Sequence, residues 1–512
     1  MRAPPNRRLL VVANWRDSDH PEAGGAEGCC EEVAARLAAM GEQVVYLTAR
    51  IPGRPRRERR DGYEVVRTGG RFSVYVGALL WLAGHRRRIS GVIDSQNGIP
   101  FFSPLVLRTA TPVVLLMHHV HQSQFGEYFS PLTAMLGRWL ERTGARWVYG
   151  QRAVAAMSPS TRHGTRSQLR LRGPIFVVPP GCTVTSTVDP AERDRARHPK
   201  IVCVGRLVRH KRPHLVVEAM PALIDRLPDL RLEIVGDGPE RDRISELVDR
   251  LGLAEAVAIR GALAAEERDA ILSTAWLAVN TSEAEGWALT VVEANAMGVP
   301  VLGLRVPGLR DSIRHGETGW LIDEDADLAQ AIAHALADLN EPEAALAISR
   351  RAVEWSGRFS WQETAEQLAQ ILEAERGRLQ HRRNDRRQRT DLAMVVYVPD
   401  VLIPRGWSPS FRLTDRVMGS EDGMSIFLPG TDARSARLAL RRSGLATEVV
   451  EDPRVRFAVA RPIDHIAPAF SSLAAASSIA HATPLVPRAA APRTPSPASI
   501  AAFRGERGQA AG

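Results

Sequence analysis

Residues Glu285 to Pro300 read E-G-W-A-L-T-V-V-E-A-N-A-M-G-V-P. The run W-L-A-V-N-T-S from Trp276 precedes them, and P-V-L-G-L from Pro300 follows. Short apolar runs bounded by turn residues read as buried parallel strands. The spacing between them predicts a helix over Ala288 to Met297, with Glu285 and Gly286 in the loop at the first strand's carboxyl end. Ligands of doubly wound sheets sit beyond those ends. Gly286 lets backbone approach a ligand closely, and the N–H groups of the helix start suit an anion such as a diphosphate. Glu285 and Glu293 lie eight residues apart, about two turns apart on one helical face. A carboxylate one turn into such a helix can accept hydrogen bonds from a diol such as a ribose. The apolar residues around Glu293 fit a buried acid better than a surface one.

Further upstream, Val202 to Arg212 reads V-C-V-G-R-L-V-R-H-K-R. A buried strand is expected to end at Gly205, and Arg206 and Lys211 follow it. Cations just past a strand end are placed to hold phosphates, and arginine can do so bidentately. The same rhythm extends outward. Ile201–Val204, Leu232–Val235, Val257–Ile259, Leu277–Asn280 and Pro300–Leu304 read as strands of one domain, and Ala326–Leu339 and Gln362–Glu375 as amphipathic helices. Before the polar stretch Ala191–Lys200, Arg8–Asn14, Val44–Thr48, Val92–Ser95, Pro112–Met117, Val154–Ser158 and Ile175–Val178 read as strands of another, with a helix over Ala26–Met40. Alternating strands and helices imply an α/β fold with parallel, right-handed crossovers. Two such domains leave a cleft between them.

Composition changes after residue 378. Met424–Leu428, a helix over Ala433–Arg442, Thr447–Val450 and Val455–Ala460 suggest a small C-terminal α/β appendage. The Ala-, Pro- and Ser-rich tail that follows has the composition of a disordered segment. The expected organisation is 1–190, an N-terminal doubly wound domain; 199–355, a second one; 356–378, a helix crossing back; 379–392, a basic linker; 393–466, the appendage; and 467–512, the tail.

Arg206-Leu207-x-x-x-Lys211 and, some eighty residues on, Glu285-Gly286-x-x-Leu289-x-x-x-Glu293-Ala294 resemble the retaining glycosyltransferases of family 4, which have the GT-B fold of two Rossmann-like domains. Gly24-Gly25-Ala26-Glu27, His118 after P-V-V-L-L-M, Ser158-Pro159-Ser160, Val178-Pro179-Pro180-Gly181, Gly236-Asp237-Gly238, Gly316-Glu317-Thr318-Gly319 and Phe359-Ser360-Trp361 agree with it. The resemblance spans roughly residues 8–378. It implies transfer of a sugar from a nucleotide-diphosphate-sugar donor to a glycan, glycolipid or small-molecule acceptor. The nucleotide sugar would be a substrate, and no cofactor and no metal would be required. Arg206 and Lys211 would neutralise the diphosphate, and Glu293 would hold the ribose. Glu285 and His118 would be catalytic, next to the donor sugar. Gly24, Gly25, Gly286, Trp287, Ala288 and Leu289 would complete the donor site. At Pro307-Gly308-Leu309 relatives often have a double glycine, and Asp311 stands where glutamate is common, which leaves the sugar unspecified. Two alternatives are a non-catalytic nucleotide-sugar-binding scaffold and a sugar-nucleotide epimerase on the same fold.

Net charge is +9 over 512 residues. Arg54–Arg60 carries +4 and Arg376–Arg389 +6, so the remainder sums to −1. A basic fold for nucleic acid is therefore not expected. His119 and His121 make H-H-V-H with His118, but strand alternation turns neighbours apart, against a zinc site. Four cysteines without a C-x-x-C pair exclude a disulfide framework. No segment reads as a signal or a membrane span. A cytoplasmic enzyme is expected, peripheral on the inner membrane face, through Arg54–Arg60, Arg86–Arg88 and the Trp/Leu/Arg stretch Leu136–Val148.

Overall fold

The computed structural model describes residues 8–384 apart from 123, 129 and 185–187, and residues 393–460 apart from 405, 408–410, 412–414, 421, 422 and 430. The expected tail and most of the basic linker lie outside the described residues. Contacts divide the chain into two units, Met1–Gln380 and His381–Gly512.

The first unit holds two sheets. One has eight strands: β1 (Leu9–Ala13), β2 (Gln43–Thr48), β3 (Arg57–Arg60), β4 (Tyr63–Arg67), β5 (Ile89–Asn97), β6 (Val113–His119), β7 (Ala153–Ala156) and β8 (Ile175–Val177), in the order β3-β4-β2-β1-β5-β6-β7-β8. All neighbours are parallel except β3 and β4, which form an antiparallel hairpin. The other has six parallel strands: β9 (Lys200–Val204), β10 (Arg231–Val235), β11 (Val257–Gly261), β12 (Leu277–Asn280), β13 (Val301–Leu304) and β14 (Gly319–Ile322), in the order β11-β10-β9-β12-β13-β14. β1 is buried at all five positions, as a continuous apolar run in a two-faced sheet requires.

The hairpin departs from the expectation of a free basic run. Asp61 and Gly62 both have positive φ, 44° and 86°, the turn that Asp-Gly favours between antiparallel strands. Its charges sit on a sheet edge, where they oppose pairing with another chain. They are also partly paired. Arg60 meets Asp19, Glu31 and Glu58, Arg54 meets Asp19, and the buried Arg67 joins Asp17, Asp19 and Glu58.

The last long helix, Trp361–Asn384, continues past the expected start of the linker. It begins against the segment between the two domains: Trp361 Nε1 donates to Thr183 Oγ1 at 2.7 Å, and Thr364 Oγ1 to the Pro179 carbonyl at 2.9 Å. It then returns to the first sheet, where Arg376 donates to the Ser90 carbonyl at 3.2 Å. A second helix, Pro342–Ser356, stands where the sequence reading placed none. Between β6 and β7, helix Pro131–Trp139 passes into a π-helical turn, Leu140–Gly144, and then helix Ala145–Tyr149.

The second unit has an antiparallel sheet of β15 (Ala393–Pro399), β16 (Arg416–Ser420), β17 (Gly423–Pro429) and β18 (Arg456–Ala460), in the order β16-β17-β15-β18. Helix Ala433–Arg442 forms as expected, capped by Asp432. Thr447–Val450 is a helical turn, with only Val450 buried. Four residues with one core contact give a strand too little to pair or bury.

Candidate functional site

The site assembles where the carboxyl ends of β9 and β12 meet the first domain. Arg206, Lys211, Gly205, Pro213, Thr281 and Ser282 line one crevice there. Arg206 also reaches across the cleft, where its Nη1 donates to the Glu22 carbonyl. The loop Gly24–Gly25 lies under it. A methyl group on Gly24 would stand 3.6 Å from Arg206 Cδ, and one on Gly25 3.1 Å from Leu289 Cδ1. Glu27, buried in the first turn of helix Gly25–Ala39, accepts the Gly24 N–H at 2.9 Å and so fixes this loop. Burial raises the Glu27 carboxyl, against the pull of Arg16.

Glu285 lies in the loop after β12. Its Oε1 accepts from Lys211 Nζ and from Ser282 Oγ, the latter at 2.8 Å. Burial opposes its ionisation, yet the Lys211 charge and these hydrogen bonds hold the carboxyl below its ordinary range. The carboxylate is therefore ionised at neutral pH. The expectation that Glu285 and Glu293 share a helical face fails. The helix is Leu289–Ala296, and Ala288 before it is left-handed with φ 66°, so no helical path joins them. Arg212, φ 49°, is left-handed on the other side of the crevice. A left-handed backbone costs a residue with a Cβ free energy and is kept where the surroundings enforce it.

Glu293 is buried on that helix and meets Arg268 Nη1 at 3.4 Å. Burial pushes its carboxyl up to about 7, against the charge of Arg268 and with that of Asp269. Arg268 keeps a second partner in Asp269, at 2.7 Å. The sequence reading missed Arg268, which lies on a different helix, Ala265–Ser273. Trp287 is buried with its ring 5.0 Å from Phe359, edge to face. Its indole is thus engaged with the start of the crossing segment, and residues 287–289 lead into the start of helix Leu289–Ala296, whose first N–H groups have no partner within the helix.

The two neighbouring histidines are placed differently. The His118 ring turns into the first domain, with Nε2 3.0 Å from Ser95 Oγ and 3.5 Å from Cys30 Sγ. Only its carbonyl faces the other domain, beside Gly286. His119 is the residue that faces the site. Its side chain lies beside the Glu285–Gly286 loop, where a methyl group on Gly286 would stand 3.9 Å from His119 Cβ, and in the fields of His210 and Lys211. The side chain nearest the crevice is thus that of His119, while the expected His118 presents its carbonyl there. The β5–β6 register shifts here, pairing Asn97 with His119. Burial pushes His118 and His119 down to about 3 and His210 to about 4, so all three rings are neutral at physiological pH. Among the described residues the one acidic group with metal-ligand spacing is Asp17, Asp19 and Glu58, and Arg60 and Arg67 already bind it.

Two domains of this kind, with a cation-lined crevice at the strand ends facing a glycine loop, define a GT-B glycosyltransferase. Residues 23–186 match the family described as Glycosyltransferase Family 4, and residues 187–355 match Glycosyl transferases group 1. The chain belongs to this family and is a glycosyltransferase. The GDP-mannose-dependent alpha-(1-6)-phosphatidylinositol monomannoside mannosyltransferase of Mycolicibacterium smegmatis is 27% identical over 396 residues, 72% of this chain and 99% of that protein. The D-inositol 3-phosphate glycosyltransferase of Corynebacterium urealyticum is 32% identical over 215 residues, 38% of this chain. The chain spans 50% of that relative's length. Sucrose-phosphate synthase from Thermosynechococcus elongatus superposes with TM-score 0.61 at 22% identity, over 72% of this chain and 98% of that one. WaaG, a glycosyltransferase involved in lipopolysaccharide biosynthesis, does so with TM-score 0.57 at 17% identity, over 71% and 99%. These two share the fold. No helix among the described residues is long and apolar enough to cross a membrane.

Proposed function

We propose that the protein moves a sugar from a nucleoside-diphosphate sugar to an acceptor hydroxyl, with retention of anomeric configuration and without a metal ion. The observation that carries this reading is the convergence of Arg206 and Lys211 on one crevice, with the ionised Glu285 beside Lys211. As the bond from sugar to phosphate breaks, negative charge gathers on the diphosphate. Two fixed cations and a helix start stabilise that charge where it develops. The acceptor oxygen forms the new bond to the same carbon, and its proton leaves with the diphosphate. Glu285 and the neutral His119 orient the sugar, and Glu293 holds the ribose. Purified protein screened by thermal shift against GDP- and UDP-sugars tests the donor. Stabilisation by none of them overturns the reading. The anomeric configuration of the product, read by NMR, tests retention, and activity in EDTA tests metal independence.

The acceptor we propose is lipid-linked, met at the cytoplasmic membrane face. Leu132, Met135, Leu136, Trp139 and Trp147 are exposed on the helices 131–149, from 46% to 75%, and Arg142 and Arg146 are exposed among them. Large apolar side chains seldom collect on a surface without a partner, and Trp and Leu among arginines suit an anionic interface.

A further inference from the structure

Glu141 is wholly buried in the π-helical turn Leu140–Gly144. π-turns interrupt the regular ladder and occur often at functional sites. A buried carboxylate is costly unless paired or well hydrogen-bonded. Among the described residues no lysine or arginine pairs with it; its one ionic neighbour is His121, with Nδ1 3.7 Å from Oε1. Its hydrogen bonds go to the loop that leaves β6. Oε1 accepts the backbone N–H of His121 at 2.7 Å, and Oε2 accepts from Gln122 Nε2. Gln122 also donates to the Arg138 carbonyl at 3.2 Å, so the loop is tied twice to the same helical stretch.

The path continues toward the crevice. His121 Nδ1 lies 3.1 Å from the His119 carbonyl, and the two rings meet edge to face at 5.1 Å. The His119 side chain in turn lies against the Glu285–Gly286 loop, where a methyl group on Gly286 would stand 3.9 Å from His119 Cβ. The links run from the π-turn to the loop that carries the Glu285 carboxylate.

We infer that Glu141 is a positioning residue, which clamps His121 and Gln122 and thereby holds the His119 ring against the Glu285 loop. The inference rests on the glycosyl-transfer reading only for its effect on turnover. Chain geometry demands an acceptor at this point: the β6 loop has just left its ladder, and an unpaired buried N–H at His121 would be costly. A neutral amide could satisfy His121 but would then aim an N–H group at Gln122. A carboxylate, acceptor at both oxygens, satisfies both donors.

Three measurements on full-length Glu141→Gln and Glu141→Leu test it. The first is amide hydrogen exchange over residues 119–122, without ligand. The second is diethylpyrocarbonate labelling of His119, read by mass spectrometry. The third is kcat alongside nucleotide Kd. We expect faster exchange, labelling of His119 raised several-fold, and kcat lowered at least tenfold with Kd within twofold of wild type. A kcat drop with an unchanged Kd is the signature of misplacement, since a general loss of structure would move both. Unchanged exchange and labelling in Glu141→Gln would overturn the clamp. Altered exchange with full turnover would make it a local fixture without bearing on catalysis, and so also overturn the inference. If Glu141→Leu does not fold, Glu141→Gln decides alone. If wild type binds no nucleotide sugar, the functional reading fails, and exchange and labelling still decide whether the clamp exists.

Discussion

The His118 carbonyl and Gly286 stand so close across the cleft that a methyl group on Gly286 would lie 2.2 Å from the oxygen. No Cβ occupies such a position, so this contact between the domains exists only because residue 286 is glycine. Thr161 Oγ1, 3.4 Å from the same carbonyl and 3.3 Å from the Gly286 carbonyl, bridges the two. Gly286→Ala should therefore fold normally and fail to close. Misplacement of about 1 Å can cost about 10²-fold in rate, and we expect kcat/KM to fall by about that factor. Unfolding of the free protein should not change. Small-angle scattering with nucleotide should report a more open molecule than wild type; equal compaction in both would contradict the role given to this contact.

Charge at the crevice makes a second prediction. Arg206→Ala and Lys211→Ala should each lower turnover on the order of 10²-fold, the usual effect of losing a group aimed at developing charge. Turnover assays of each variant, with and without EDTA, check this. Full activity in either variant would remove that cation from the mechanism, and loss in EDTA with recovery on added Mg²⁺ would replace the mechanism as a whole.

Glu293 predicts a pH dependence of stability. Its folded carboxyl titrates near 7, above the ordinary 4.5, chiefly through burial. Below 4.5 the group is protonated in both states and contributes nothing. Between 4.5 and 7 the folded state holds a proton that the unfolded state has lost, so stability falls as pH rises. Glu293→Gln removes that loss. At about pH 8 the variant should be more stable by up to about 3 kcal/mol, at 1.36 kcal/mol per unit, with no difference near pH 4. Urea unfolding at both pH values measures it. The same variant should bind nucleotide about tenfold more weakly, because a charged hydrogen bond is worth about 1.5–3 kcal/mol. A Kd equal to wild type would detach Glu293 from the ribose.

The apolar face predicts membrane binding. Sedimentation with anionic liposomes should be strong at low salt and fall as salt screens charges beyond about 10 Å. Replacing Trp139 and Trp147 by serine should weaken it without altering nucleotide binding. Neutralising Arg54 to Arg60 is the poorer test, since Arg54 and Arg60 have acidic partners in the fold. Equal sedimentation of wild type and the tryptophan variant would point to a soluble acceptor.

Much of this was legible in the sequence because most of the parallel strands are short apolar runs followed by a helix. Leu277–Asn280 and Ala433–Arg442 form over the residues expected. The hairpin β3–β4 escaped because its charges mask the strand pattern; Asp61-Gly62 was the available signal. His119 escaped for another reason. Alternation separates it from His118, but which of the two faces the cleft depends on how the second domain docks, which no local pattern records. The partners of the site acids, Lys211 for Glu285 and Arg268 for Glu293, come from other elements of the fold. Spacing along one segment cannot name them.

The chain passes between the domains twice, and the two passages touch. A methyl group on Gly181 would lie 2.2 Å from the Trp361 nitrogen, and the Cys182 N–H donates to the Phe359 carbonyl at 3.1 Å. The connection is therefore a single pivot rather than a pair of independent straps. Relative motion of the domains should be a rotation about that point, with little freedom to slide. Trp287 packs on Phe359 beside the pivot and should keep its neighbour through such a swing, whereas the bond from Arg206 to the Glu22 carbonyl, far from it, should break on opening. Spin labels at Ala23 and Arg209 should change separation when nucleotide binds, while a pair flanking the pivot should hold its distance. Each catalytic cycle would then begin and end as one angular stroke, with the donor sealed in only at its closed limit.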